Sequence, residues 1–331
     1  MNTKKGVLLA ALPKRRSGAL RLRSASLFGG LFAIALAILP LALNDPFYTH
    51  LAILVCINAI IVSGLSLLAR SSQISLCHGA FVGIGAYVSV FVMMGSGLPF
   101  LTGVIAAVFA AGACAYLLGI IMLRLTGVYF VLVTFAFGEL VRLGLIEWDT
   151  VTGGANGIAG IPPASMLGYV FVDKTAFYCL AAMSMVGVTV LLRILYRSPA
   201  GSAIDAVGEN AQLAEASGIS VRGTQLFAFT ISGAVAGLGG ALTAHYLGYI
   251  SPESFNINLS TAAIIMMVVG GRKFLMGPLI GALVMTPLPE LFRGAVESQN
   301  IFYGVALILM LRFLPQGLAS LRQGNKGGAI K

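Results

Sequence analysis

Charged residues are scarce in this sequence: Asp, Glu, Lys and Arg make up 10% of its 331 residues, whereas 58% are hydrophobic. An ordinary soluble domain carries about 25% charged residues, so this composition excludes that class. The hydrophobic residues form continuous runs of helix length, not the short alternating segments of a membrane β-barrel. The composition therefore predicts an all-α polytopic membrane protein.

Motifs for catalysis and metal binding are also missing. The sequence has no GxxxxGK[ST] phosphate-binding loop, no HExxH, no GxSxG and no set of intramembrane acids spaced as a proton relay. Its four cysteines lie in apolar runs and form no CxxC pair, so we expect no metal and no cofactor in the chain. These absences predict a protein that has no catalytic residues, is not an enzyme and does not hydrolyse ATP by itself.

The apolar runs predict about ten transmembrane helices, or nine if one glycine-rich or short run does not span. Their ranges are 27–43, 48–69, 74–94, 100–123, 127–147, 175–196, 224–248, 256–271, 275–292 and 301–318. Together they define a transmembrane domain over 27–318, flanked by a basic tail over 1–26 and a second tail over 319–331. Two polar segments, 148–174 and 198–223, interrupt the runs.

The distribution of basic residues predicts the orientation. With ten spans and a cytoplasmic N-terminus, only Arg142, Lys174 and Arg293 of the 21 Lys and Arg residues fall on the outer side. This asymmetry is typical of the positive-inside rule. We therefore expect both termini and segment 198–223 in the cytoplasm and loop 148–174 in the periplasm. The net charge of +10 then reflects topology and contact with the lipid bilayer, not nucleic-acid binding.

The polar segment 198–223 reads SPAGSAIDAVGENAQLAEASGISVRG and has helical periodicity. Small or apolar residues recur at steps of three and four and form a stripe of Ile204, Val207, Ala211, Ala214 and Gly218. The opposite face is acidic and the stripe lacks aromatic anchors, which favours a groove on another protein over an anionic membrane surface. We expect one or two short helices, divided near Gly208.

Few ionisable residues lie within the spans. Glu139 is the carboxylate placed well inside one, and Arg142 follows one helical turn later. A charge at this depth either forms a structural pair or belongs to a translocation path or gate, and both interpretations remain open.

Three small-xxx-small patterns predict close helix packing, because missing side chains let backbones approach. They are formed by Gly79 and Gly83, Gly233 and Gly237, and Gly277 and Gly281. The same pattern also occurs at dimer contacts and pore linings, and the sequence leaves those alternatives open.

Six blocks occur in a characteristic order: SQISLCHGAFVGIGAY (72–87), LTGVYFVLVTFAFGELVR (125–142), TGGANGIAGIP (152–162), ENAQLAEASGIS (209–220), VVGGRKFLMGPLIGAL (268–283) and RFLPQGL (312–318). In order and spacing, from about 70 to 331, they resemble the LivM-type permease subunits of branched-chain amino acid ABC importers. The resemblance implies a multi-pass permease of the bacterial inner membrane that translocates branched-chain or other small amino acids by alternating access.

The same resemblance implies partners. A LivH-type permease would complete a heterodimer, two cytoplasmic ATP-binding subunits would supply the energy of ATP, and a periplasmic substrate-binding protein would deliver the solute. Related permeases of the same architecture carry urea or short amides, which is one alternative. A self-sufficient, ion-coupled secondary transporter is an alternative from a different class.

Site residues follow from the resemblance as well. The segment between the sixth and seventh spans matches the family's ATPase-coupling segment through Glu209, Asn210, Glu215, Ala216 and Gly218. Where relatives usually carry arginines, this sequence has Ser202, Asp205 and Gly208, so we do not expect a positively charged contact there. A path for an aliphatic zwitterion suits small and hydroxyl residues, and the candidates for the path or gate are Thr126, Tyr129, Thr134 and Glu139.

Overall fold

A computed structural model describes residues 45–166, 169–291 and 304 of the chain. The predicted span 27–43 and both tails lie outside these residues, as does span 301–318 except for residue 304. The described residues contain seven helices that are long and apolar enough to cross a membrane. This confirms the prediction of an all-α polytopic membrane protein.

The helices follow the predicted spans closely. In chain order they are α1 (Pro46–Arg70), α2 (His78–Ser96), α3 (Phe100–Met122), α4 (Val128–Glu147), α5 (Asp149–Thr152), α6 (Lys174–Arg197), α7 (Pro199–Glu209), α8 (Ala211–Ala216), α9 (Val221–Leu247), α10 (Ile257–Gly270), α11 (Gly277–Met285) and α12 (Pro287–Leu291). The predicted span 275–292 is thus two short helices, because Pro287 has no amide hydrogen to continue the first.

Short irregular elements connect the helices at one end of the bundle. Two 3-10 turns lie at Gly154–Asn156 and Pro252–Phe255. Four two-residue strands form two antiparallel pairs: β1 (Ile158–Ala159) pairs with β4 (Tyr249–Ile250), and β2 (Ser165–Met166) pairs with β3 (Tyr169–Val170).

The helix of the third span begins at His78, four residues after the start of the predicted range 74–94. Residues 71–77 are not helical and return from the end of α1 into the protein, where Ser71, Ser75 and Cys77 are fully buried. At the start of α2, Nε2 of His78 lies 3.1 Å from the carbonyl oxygen of Ile61. Ile61 precedes the end of α1 by nine residues, about 13 Å along a helix. Helix α2 therefore begins at membrane depth.

Helix α9 is the centre of the bundle and packs against α1, α2 and α3. A Cβ atom at Gly237 would lie 2.6 Å from Cβ of Ala111 and 2.7 Å from the carbonyl oxygen of Ala107, both on α3. The backbone of Gly237 also abuts Gly85 on α2, where no Cβ fits. Three helices thus meet at one position without an intervening side chain, as small-residue interfaces in membranes allow.

The other predicted packing glycines also face neighbouring segments. Gly79 faces Asn256 and Ser260, Gly83 faces Phe255, Gly233 faces Ala111 and Ala115, Gly277 faces Gly271, and Gly281 faces Met266. In each case the neighbour belongs to this chain, so these glycines serve packing within the bundle.

The two ends of the bundle differ. The basic end has Arg70, Arg124, Arg197, Arg222 and Arg272 at or just beyond helix termini. Hydrogen bonds join its parts: the Ser66 hydroxyl donates to the Arg272 carbonyl at 3.1 Å, and Nη2 of Arg222 donates to the Ile120 carbonyl at 2.7 Å. The opposite end, called the loop end, carries residues 148–173.

We predict that Gly237→Ala destabilises the protein by about 1–3 kcal/mol, because the new methyl group overpacks the contact with α3. The matched control is Gly187→Ala on α6, where an added Cβ meets nothing within 4 Å. The measurement is the free energy of unfolding in detergent micelles. Equal stability of the two variants would contradict the packing described for α9.

Candidate functional site

The polar segment 198–223 folds at the basic end into α7, α8 and the first turn of α9. Ser198 caps α7 by accepting the amide hydrogen of Gly201 at 3.3 Å, and Asn210 caps α8 by accepting that of Leu213 at 3.0 Å. The break between the two helices lies at Asn210 and not at Gly208, because the Asn210 side chain satisfies the free backbone donor of a new helix.

The apolar stripe of this segment faces its own bundle. Ile204, Val207 and Ala214 are buried, and α7 packs on α1, α6 and α9. Three of the five stripe residues thus pack on this chain's own helices, whereas Ala211 and Gly218 are exposed and stay available to another protein. Burial of the stripe within the chain holds the two short helices against the membrane helices.

Residues 209–218 of the segment are exposed except at Ala214, and we call this part the coupling tip. It includes every predicted ATPase-coupling residue: Glu209, Asn210, Glu215, Ala216 and Gly218 are all exposed. Leu213 stands among them with 65% of its surface exposed. In the sequence, Leu213 is a lone large apolar residue on an acidic face. The helical periodicity did not predict its exposure, because Leu213 is not part of the apolar stripe.

Asp205 ties α7 to the end of α1. The Arg70 guanidinium donates from Nε to Oδ1 and from Nη2 to Oδ2 of Asp205, both at 2.8 Å. Its carbon lies 3.8 Å from the ring centroid of Tyr196, and only 14% of the Arg70 side chain is exposed. A planar guanidinium suits two parallel hydrogen bonds and stacking at once, which an ammonium group does not.

A second contact reinforces this attachment. The Ser72 hydroxyl donates to the carbonyl of Gly208 at 2.7 Å, and the carbonyl of Arg70 abuts Gly208 where a Cβ would overlap it. Asp205 and Gly208, two of the positions where the family resemblance led us to expect arginines, thus contact this chain's own bundle. Ser202, at the third such position, is exposed.

A narrow crevice, too tight to hold a water molecule, lies where α2, α4 and α10 meet. The amide of Gly79 donates to Oγ of Ser260 at 2.8 Å and joins the start of α2 to α10. The crevice is lined by Leu76, Ala80, Phe135, Gly138, Glu139, Phe255, Asn256, Ile257 and Ser260. Its lining is apolar except for Glu139, Asn256 and Ser260.

Glu139 is paired and also lines this crevice. Oε2 of Glu139 accepts a hydrogen bond from Nε of Arg142 at 2.9 Å, and Nη1 of Arg142 donates to Oε1 of Glu253 at 2.6 Å. The side chains of Glu139 and Arg142 are 28% and 20% exposed, whereas that of Glu253 is 61% exposed. One guanidinium therefore bridges two carboxylates and joins α4 to the turn before α10.

The remaining path candidates separate into two groups. Thr126 and Tyr129 are exposed at the start of α4, with Tyr129 72% exposed. Thr134 is fully buried: its Oγ1 accepts from the amide of Leu76 at 3.2 Å and donates to the carbonyl of Val131 at 2.8 Å. Thr134 thus packs α4 on the segment before α2. Among the described residues, no cluster of three or more His, Cys, Asp or Glu is arranged to hold a metal ion.

The glycine-rich stretch 152–162 folds over the loop end of the bundle. Besides the pairing of β1 with β4, the Tyr249 hydroxyl donates to the Asn156 carbonyl at 2.9 Å, and Nδ1 of His245 donates to the Pro162 carbonyl at 3.0 Å. A cavity of about 410 Å³ opens beside it and is lined by His50, Ile161, Pro163, Phe171, Val172, Lys174, Phe177, His245, Tyr246, Leu247 and Gly248. The loop is fixed to the connection between α9 and α10.

Comparison with known proteins agrees with this architecture. A family model described as the branched-chain amino acid transport system permease component matches residues 47–314. The chain belongs to this permease family. Its resemblance to the LivM type, drawn from sequence blocks, is thereby confirmed.

Members of the permease family provide the most similar relatives. The high-affinity branched-chain amino acid permease LivM of Escherichia coli (strain K12) is 32% identical over 333 residues, covering 91% of this chain and 78% of the relative. LivM of Salmonella typhimurium (strain LT2) is 32% identical over 312 residues, covering 86% of this chain and 73% of the relative. A probable LivH permease of Methanocaldococcus jannaschii is 31% identical over 140 residues, covering 40% and 44%. No solved structure matches significantly.

In this branched-chain amino acid permease component, we predict that Arg142→Gln lowers the free energy of unfolding by about 1–3 kcal/mol, because it leaves two carboxylates without their shared donor. Glu253→Gln serves as the control and costs at most about 1 kcal/mol, since Glu253 is largely exposed. Unfolding in detergent measures both. A larger loss for the Glu253 variant would contradict the bridging role of Arg142.

Proposed function

We propose that this chain is the permease subunit of an ABC importer that carries branched-chain amino acids across the bacterial inner membrane. The observation that carries the proposal is the similarity to LivM of two species, which extends over 91% and 86% of the chain. Five of the six blocks lie in α2, α4, the loop end, the coupling tip and α10 with α11, and the sixth, 312–318, lies outside the described residues.

The charge of the two ends supports an orientation. The basic end would face the cytoplasm, in keeping with the positive-inside rule, and place both termini there. Two ATP-binding subunits would then dock on the coupling tip and supply the energy of ATP, so the chain would need neither a cofactor nor an ATPase site. The loop end would face the periplasm and receive a substrate-binding protein, while a LivH-type permease would complete the translocation unit within the lipid bilayer.

Helix α4 is the part of the bundle best suited to face the translocation path. Only a small share of it is buried, and its exposed large side chains are Val128, Tyr129, Leu132, Phe135, Leu140 and Leu143. Thr126 adds a hydroxyl at its start, and Glu139 adds a charge at the crevice. An apolar surface with few polar groups would suit a solute with a branched aliphatic side chain.

The alternatives are less well supported. The LivM relatives are named for branched-chain amino acids, which does not favour urea or short amides as the solute. An ion-coupled secondary transporter would need a carboxylate free to bind the coupling ion. Glu139, the carboxylate placed well within a predicted span, is held by Arg142.

We predict that proteoliposomes containing this chain, its partner permease and the two ATPases accumulate radiolabelled leucine when ATP is inside and the liganded binding protein is outside. Uptake should persist when ionophores collapse all ion gradients. Leucine uptake that follows an imposed ion gradient without ATP would instead establish a secondary transporter. Uptake of urea or acetamide with no uptake of leucine would establish the amide alternative.

We predict that Leu213→Asp reduces the affinity of the permease for its ATPases about tenfold or more, because it replaces an exposed apolar contact with a charge, and charged residues are depleted in the core of an interface. Co-purification of the ATPases with the permease at increasing concentrations of salt and detergent measures this loss of affinity. Ser202→Asp adds the same charge to an exposed site on α7 and should retain the ATPases. Equal loss in both variants would contradict docking at the coupling tip.

A further inference from the structure

The coupling tip is connected to the interior of the bundle by a short set of contacts at the end of α1, which we call the joint. It consists of Arg70, Ser72, Tyr196, Asp205 and Gly208. Within it, α7 is held by two charged hydrogen bonds of 2.8 Å, one hydroxyl bond of 2.7 Å and a close backbone contact. The largely buried Arg70 side chain and its stacking on Tyr196 also fix the last turn of α6.

The joint lies at the start of residues 71–77, the non-helical segment that returns into the bundle. Ser71, Ser75 and Cys77 of this segment are buried, and the amide of Leu76 donates to Thr134 on α4. Ser72 has a φ of 61°, so the chain reverses sharply beside Gly208. Contacts therefore hold the segment at both ends, through Ser72 and through Leu76. It cannot easily change its shape when α7 moves.

The far end of the segment is the start of α2 at membrane depth. There the His78 ring contacts the Ile61 carbonyl, the Gly79 amide bonds to Ser260 on α10, and Leu76 and Ala80 line the crevice that also contains Glu139. One continuous stretch of backbone thus runs from Arg70, which binds Asp205 at the basic end, to the crevice. Its length is ten residues, from 70 to 79.

We propose that the joint transmits movement of the coupling tip to the start of α2, and that Arg70 and Asp205 are its positioning residues. A displacement of α7 either carries residues 71–77 with it or breaks the paired guanidinium and carboxylate. The inference rests on the proposed function, because it assigns a route to the coupling that an ATP-driven permease requires. It also assigns a role to Asp205, which stands where the family resemblance led us to expect an arginine: its carboxylate joins α7 to α1.

The test uses the complete complex in proteoliposomes with the variants Arg70→Gln, Asp205→Asn and the double variant. Leucine uptake and ATP hydrolysis stimulated by liganded binding protein are measured on the same samples. Each single variant is expected to lower the amount of leucine moved per ATP about tenfold while hydrolysis stays close to that of wild type. The double variant should resemble either single one, because residues that act as one contact are not additive.

Four outcomes of this experiment separate the possibilities. An unchanged ratio of leucine to ATP in both single variants, or multiplied losses in the double variant, overturns the joint. Arg197→Gln, an exposed arginine beside Tyr196, is the control, and an equal fall in that variant also overturns it. Absence of leucine uptake by the wild-type complex refutes the proposed function instead, so the two failures are distinguishable.

A distance measurement covers the case in which a variant fails to assemble. Spin labels at Ile74 and Ser202, both exposed, report the separation of the returning segment and α7. In the wild-type complex this distance should stay constant between the nucleotide-free and ATP-bound states, because the joint moves as a unit. A change of that distance in wild type would overturn the proposal.

Discussion

Close approach of backbones along α9 is the constraint on which the described bundle depends. Lipid offers no hydrophobic drive for helices to associate, so packing has to come from contact of small residues. At Gly237 helix α3 leaves no room for a methyl group, and at Gly85 of α2 the backbone of Gly237 leaves none either. Because α9 is held this tightly, it gives the elements at its two ends, α8 at the basic end and β4 at the loop end, an attachment to the centre of the bundle.

The start of α2 is the exception to regular helix, and its surroundings explain why a membrane protein tolerates it. Non-helical backbone at membrane depth has to be buried in protein or line a cavity. Residues 71–77 meet the first condition, since Ser71, Ser75 and Cys77 are buried. The irregular segment therefore lies between the part of the chain proposed to meet the ATPases and the part proposed to meet the solute.

The spans within the described residues could be predicted from the sequence because apolar runs are a local signal, whereas the residues of the coupling tip followed from the family resemblance. The sequence did not reveal what depends on contacts between distant residues. The pairing of Arg70 with Asp205 joins residues 135 positions apart, and the stripe of Ile204 and Val207 does not reveal whether its partner is another protein or the same chain. Helix periodicity gives the face of a helix but not what that face contacts.

The central claim is that ATPases act on the basic end of a branched-chain amino acid permease component while substrate arrives at the loop end. Single cysteines at Leu213 and Val172, both exposed, allow the most direct measurement: cross-linking in the assembled complex. We predict that the cysteine at 213 cross-links to an ATP-binding subunit and the cysteine at 172 to the substrate-binding protein. The reverse pairing, or an ATPase cross-linked at 172, would contradict this arrangement.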